Sequence, residues 1–191
     1  MFEPYSLVLF VHVLSAIALV GHSIGAPLER AAIREAATLG DLRRWIAFAG
    51  RSGRWNPVVA LVLLATGVYL GSIGWWEQAW FHVSLAGWFA NVVLAGFVVK
   101  RAADATMAAA LKAGEGPVPP HVDGLRRSSA WALATQSLLA NDLAMLFIMM
   151  NKPGLVGSLA VVAVANAVLL APSLLRARAG ARARHPSPAG L

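Results

Sequence analysis

Four ionisable side chains fall inside otherwise apolar segments of this chain: His12, His22, His82 and Asp142. Titratable groups are costly in a segment that crosses a bilayer, so each is by default a functional candidate. An imidazole ligates a metal or a haem iron through a ring nitrogen. A carboxylate in the same surroundings can orient a ligating histidine or carry a proton. Neutral polar groups accompany them: Ser15, Thr66, Asn91, Gln136, Asn141 and Asn166. Amides in such segments act mostly as hydrogen-bond glue between helices, worth under about 1 kcal/mol each.

The elements that must position these groups are five apolar runs, 5–26, 57–74, 79–99, 129–150 and 154–175. Each is close to the ~20 residues that a helix needs to cross a bilayer core. Fifteen of the sixteen Lys and Arg residues fall in alternate connections, leaving only Lys152 on the other side. The positive-inside rule then sets the N-terminus outside and the C-terminus in the cytoplasm. The expected fold is an all-α membrane protein, a five-span helical bundle. Residues 1–175 form a single transmembrane domain, and 176–191 a basic, flexible cytoplasmic tail. The first four spans are expected to form the core, with the fifth packed outside it.

At ~1.5 Å per residue, His12 lies about 10 Å below the outer face, Asp142 and Thr66 about 12 Å, and His82 about 5 Å. His12, His82 and Asp142 therefore share the outer half although they come from three spans. His12 and His82 are candidate cofactor or metal ligands, with Asp142, Asn141 and Thr66 as further intramembrane polar candidates. The competing reading pairs His12 with Asp142 in the core and leaves His82 at the interface beside Trp80. His22 lies near the inner surface, and His121 and His185 fall in basic-side segments exposed to water.

Other features organise the bundle. Gly21 with Gly25, and Gly67 with Gly71, are small-residue pairs that permit close helix contact. Trp75, Trp76 and Trp80 on one side, and Trp45, Trp55 and Trp131 on the other, read as interfacial belts. After span one, Leu28, Ala32, Leu39, Leu42 and Ile46 follow helical spacing. Glu29, Arg30, Arg34, Glu35 and Arg43 occupy the other face, which predicts an amphipathic interfacial helix. The loop 102–128, with GEGPVPPH, reads as irregular chain and, like the tail, as dispensable. Met145, Met149 and Met150 are potential thioether donors to copper, although apolar packing is their commoner use.

Composition closes off other classes. Hydrophobic residues make up 58% and charged residues 13%, which excludes disorder and fits a soluble domain poorly. The net charge of +7 sits beside membrane segments, so it points to anionic lipid headgroups at the cytoplasmic face rather than nucleic acid. Without cysteine there are no disulfides or thiolate sites. The first apolar run begins at Tyr5 with no basic residue before it, so it is expected as an uncleaved span.

Three stretches, LFVHVLSAIALVGHS, RSGRWNPVVALVLLATGVYL and LAMLFIMMNKPG, resemble an uncharacterised family of bacterial integral membrane proteins with a domain of unknown function. That family is distantly similar to CopD-like copper-resistance proteins and to HemJ-type protoporphyrinogen oxidases. The resemblance implies a multi-pass protein of the bacterial inner (plasma) membrane. The HemJ likeness implies haem b held by a span-one histidine, which His12 matches. It also implies a lysine early in span three, where this chain has Ser84 beside His82, so the oxidase activity itself is not expected. The CopD likeness implies copper uptake, with histidine and methionine ligands only partly echoed. The expected function is haem-b binding linked to redox chemistry through His12, with His82 as second ligand. The alternatives are a copper-handling permease using His12, Asp142 and the methionines, and a non-catalytic subunit of a membrane complex or homo-oligomer.

Overall fold

Inside a bilayer the backbone N–H and C=O groups have no partners but one another, so long apolar runs become helices. The computed structural model describes residues 3–184, with side-chain surroundings through Leu175. Helix α1 spans Pro4–Glu35, α2 Leu39–Ser52 and α3 Asn56–Ser72. Helix α4, Ala79–Val93, passes through a π-helical stretch, Leu94–Val99, directly into α5, Lys100–Lys112. A short α6, Pro120–Arg126, precedes α7, Ser129–Asn151, and α8, Leu155–Arg184, ends the described chain. Five helical stretches are long and apolar enough to cross a membrane, and no strand occurs among the described residues. The five-span helical fold is thus observed. Helix α8 continues through 176–184, and the remainder of the segment read as a tail, including His185, lies outside the described residues.

Helix α7 is the centre of the bundle. It packs against α1, against α4 with its π stretch, and most extensively against α8. In its most apolar window 28% of residues are buried, against 6–11% in the other four, so protein surrounds α7 where lipid would cover the rest. This corrects the expected core. The fifth span lies directly on α7 and α4, and the peripheral span is α3, which leans mainly on α1. Two side chains of α4 close the gap to α3: Trp88 Nε1 donates to the Ala60 carbonyl at 3.2 Å, and the Phe81 ring covers Gly71.

The glycine pairs also divide. Among the described residues nothing lies within 4 Å of a Cβ built on Gly21 or Gly25, so none of them approaches there. On α3, a Cβ at Gly67 would sit 3.1 Å from His12 Cε1, and one at Gly71 only 2.5 Å from the Phe81 ring. These two glycines are sockets for side chains rather than points of backbone contact.

On the basic side the helix ends fold into a cap. Ile33, Ala36, Leu39, Leu42, Ile46, Ala110, Val122 and Trp131 form its buried core. The stretch expected to be irregular and dispensable is therefore structured: α5 and α6 occupy much of it, and Ala110 and Val122 are fully buried. Leu39, Leu42 and Ile46 of α2 are covered by this core rather than lying in the interface. Two other expectations for that amphipathic stretch also fail. Leu28 is exposed, while Arg30 is buried with its guanidinium 4.2 Å above the Trp131 ring. The cause is a phase reset. Helix α1 runs on to Glu35 through Pro27, the chain breaks at 36–38, and Thr38 restarts it by accepting a hydrogen bond from Asp41 N at 3.1 Å.

Arg126 locks the cap. Its buried guanidinium donates to the Ala36 carbonyl at 2.6 Å and the Ile33 carbonyl at 3.3 Å, both at the C-terminal end of α1. It also pairs with Asp123 at 2.7 Å, and Arg127 pairs with Asp123 at 2.8 Å. Burial pushes the Asp123 carboxyl up, but hydrogen bonds and charge from Arg127 and Arg126 outweigh this and hold it below the usual carboxylate range.

The tryptophans separate by use. Trp45, Trp55 and Trp76 are exposed, as belts require, whereas Trp80 and Trp131 are buried. Trp80 packs with Phe81 and Ile148, and Trp131 supports Arg30. On the opposite side from the cap, Lys152 takes the left-handed conformation (φ 49°) that ends α7, and its Nζ stands 3.8 Å above the Trp75 ring.

Candidate functional site

His12 belongs to α1 and faces α3. Its Nδ1 lies 3.0 Å from Thr66 Oγ1. The threonine hydroxyl has one proton, and the Val62 carbonyl at 2.7 Å takes it, with Leu63 O farther off at 3.1 Å. With the threonine proton on Val62, Thr66 accepts from His12, and that arrangement puts the imidazole proton on Nδ1 and the lone pair on Nε2. Gly67, one residue on, leaves room for the ring. Thr66 is thus the group that fixes the His12 tautomer and orientation, a role more specific than shared depth suggested.

Asp142, on α7, is not the partner of His12. It meets α1 from the other side, where the Ser23 hydroxyl donates to Oδ2 in a short hydrogen bond. Asn91 Nδ2 of α4 donates to Oδ1 at 2.7 Å. Behind Asn91 the chain of donors continues. Asn141 Nδ2 donates to Asn91 Oδ1 at 3.0 Å, and Asn166 Nδ2 of α8 donates to Asn141 Oδ1 at 2.8 Å. The amides therefore point one way, and four helices meet in one polar network that ends on a carboxylate. Counting from the helix ends opposite the cap, Asn91, Asp142 and Asn166 lie about 14–18 Å deep at 1.5 Å per residue. That is near the middle of a ~30 Å hydrocarbon core. Because His12 precedes Ser23 by eleven residues, about 16 Å along α1, His12 and Asp142 do not share the depth expected of them.

No Lys or Arg pairs with Asp142 among the described residues. The ionisable neighbour is His22, on the turn of α1 that carries Ser23. A charge in mid-membrane costs about 2.5–3.5 kcal/mol on insertion scales. A hydrogen bond to a charged group returns roughly 1.5–3 kcal/mol. Two such bonds offset much of that cost, and no cation among the described residues pairs with the carboxyl.

The remaining candidates are scattered. His82 is exposed on α4, with Phe81 and Trp76 at ring-centroid distances of 5.6 and 6.0 Å. Helix α1 packs on α2, α3, α6 and α7 rather than α4, so His12 and His82 are not brought together. The methionines also diverge: Met145 lies on Gly87, Met149 packs beside Trp80 and Ile148, and Met150 is exposed. His22 sits against Gly53, and His121 is exposed. Among the described residues, no three His, Asp or Glu side chains converge in a metal-binding group.

Ser23 is the functional residue that sequence reasoning missed. With α1 taken to stop at Pro27, Ser23 falls near the inner surface. The helix instead continues to Glu35, which leaves Ser23 level with Asp142. The available signal was a hydroxyl next to His22 in an apolar run.

A family model described as "Predicted integral membrane protein (DUF2269)" matches residues 6–153, which takes in the first four spans and the whole cap. No curated protein and no solved structure matches the chain.

Proposed function

The chain belongs to this family of predicted integral membrane proteins, and from that premise we propose that it binds haem b and works in membrane redox chemistry, with His12 as an axial ligand. The observation that supports the reading is the contact of His12 Nδ1 with Thr66 Oγ1 at 3.0 Å. With Thr66 accepting at Nδ1, Nε2 carries the lone pair that iron ligation requires. Gly67, lacking a side chain, makes room for the ring against α3. The residues present fit a single iron ligand, which His12 would supply. His82 does not supply a second, because it is exposed on a helix that does not pack against α1. Bound haem would supply one-electron exchange. His12 would hold it, and Thr66 would orient His12.

In this reading the basic cap faces the cytoplasm of a bacterium, where anionic headgroups meet its arginines, and the Trp75–Lys152 corner faces outward. The copper alternative is weaker because Met145, Met149 and Met150 do not converge with His12 or Asp142.

The test is an absorption spectrum of the detergent-purified protein, expressed with haem supplied, as isolated and after dithionite. A Soret band with α/β bands on reduction, lost in His12→Ala and weakened in Thr66→Val, is the expected result. A featureless wild-type spectrum overturns the haem reading, and metal analysis of the same sample then decides on copper.

A further inference from the structure

The network around Asp142 has no part in holding a cofactor at His12, and its geometry carries a separate inference. We propose that Asp142 is a proton-binding site at the middle of the bundle, protonated on Oδ2, with Ser23 as the group that yields to the proton.

The argument follows from which contacts can reverse. On the Oδ1 side, Asn91 donates through Nδ2 while its own Oδ1 accepts from Asn141, and Asn141 in turn accepts from Asn166. Turning the Asn91 amide to accept from Asp142 would present an NH2 to the Asn141 NH2 and break the chain link by link. On the Oδ2 side, the one hydrogen bond among the described residues comes from the Ser23 hydroxyl. A hydroxyl rotates freely between donating and accepting. A proton arriving on Oδ2 makes the acid O–H the donor to Ser23 Oγ, and the serine proton swings to a carbonyl of α1 one turn back, a bond that Ser15 already makes to Val11 at 2.8 Å. Nothing else in the network moves.

The same geometry selects a proton over a metal cation. A sodium ion needs oxygen ligands, and Asn91 presents N–H to the carboxylate instead. The surroundings restrict the source of the proton. Asp142 is the single ionisable group of α7. Against it, α4 with its π stretch offers Asn91 and, at its far exposed end, His82. The Leu155–Leu175 part of α8 offers no ionisable side chain. Helix α1 offers His22 beside Ser23, with Glu29, Arg30, Arg34 and Glu35 farther toward the cap and His12 turned to α3. The ionisable neighbour on the Oδ2 side is therefore His22 of α1.

The test is infrared difference spectroscopy of the detergent-solubilised full chain on stepping the pH, reading the C=O stretch of a protonated carboxylic acid. The measurement needs no bound haem, so its outcome is independent of the His12 reading. A band that grows reversibly on acidification, is lost in Asp142→Asn and shifts in Ser23→Ala is expected. If Asp142→Asn does not fold, the Ser23→Ala shift alone still assigns the band, because that variant retains the carboxyl. A wild type with no such band at any tolerated pH, or with one that never titrates, shows a fixed structural group and overturns the proposal. So does a band removed by exchanging potassium for sodium at constant pH, which would mark a cation site instead. A titrating band insensitive to both substitutions belongs to another carboxyl and equally overturns it.

Discussion

The cap and the membrane-embedded bundle are held together by opposite means. In the cap, Leu39, Leu42 and Val122 are fully covered by protein, and polar groups serve helix ends, as Thr38 does for α2 and Arg126 for α1. In the bundle, large apolar side chains such as Leu61, Phe89 and Val164 are exposed to the space that lipid fills. Moving them from lipid to protein gains little, because acyl chains are as apolar as they are. The helices are placed instead by polar links and shaped sockets: His12 on Gly67, Phe81 on Gly71, and the Asn166–Asn141–Asn91–Asp142–Ser23 network. The cap is organised by what water excludes, and the bundle by what lipid cannot satisfy.

Apolar truncation should therefore separate the two regions most strongly. Leu42→Ala empties a fully enclosed site in the cap and should cost about 3 kcal/mol. Leu61→Ala removes the same atoms from an exposed face of α3 and should cost under about 0.5 kcal/mol. Unfolding of both variants in one detergent, followed by circular dichroism, measures the difference. Equal losses would break the comparison.

Overpacking should reverse the pattern. Gly71→Ala drives a methyl into the Phe81 ring, which is buried and cannot retreat, and should cost about 2 kcal/mol. Gly25→Ala meets open space inside a helix and should be neutral or stabilising by about 0.5–1 kcal/mol. The same assay reads both. A destabilised Gly25→Ala would mean that α1 has a neighbour at that face which the chain alone does not supply.

How much of this was legible in the sequence follows the same division. The five spans were readable because bilayer thickness fixes the length of an apolar run, and their starts at Asn56, Ala79 and Leu155 fall within a residue of the reading. The cap was not, because its core is assembled from segments far apart in the chain. Nothing local tells that Val122 and Leu42 share one buried core, or that Arg30 turns inward to Trp131. Pro27 looked like a stop but lies inside α1, and that one misplaced helix end hid Ser23. At the site, His12, Asp142, Thr66, Asn91, Asn141 and Asn166 were all singled out by the cost of polarity in lipid. Their pairing was not, since it depends on the face each helix presents and on how far the helices slide past one another, which brings Ser23 rather than His12 level with Asp142.

Within the bundle, the amides allow a finer test. Asn166 stands at the start of the donor chain, so Asn166→Ala removes one interhelical bond and should cost about 0.6 kcal/mol, the usual worth of such a bond in a membrane protein. Asn141 both donates to Asn91 and accepts from Asn166, so Asn141→Ala should cost about twice as much. A double-mutant cycle of the two tests whether they act in one chain. Strict additivity would mean that they do not.

The smallest expected effect belongs to the cap, where charge supplements apolar packing. Asp123 is held below the ordinary carboxylate range by Arg127 and Arg126, so it stabilises the fold fully at pH values above the unfolded carboxyl's ~3.9. That contribution disappears as the pH falls through the lowered folded value. Asp123→Asn keeps an acceptor and removes the charge, so the variant should melt slightly below the wild type at neutral pH, with the gap constant down to about pH 4 and closing below it. Because Asp123 and Arg127 are partly open to water, added salt should narrow the gap at neutral pH as well. A gap that widened in acid would reverse the sign of the linkage. It would mean that Asp123 stabilises the cap as a protonated hydrogen-bond donor rather than as the counter-charge to Arg126 and Arg127.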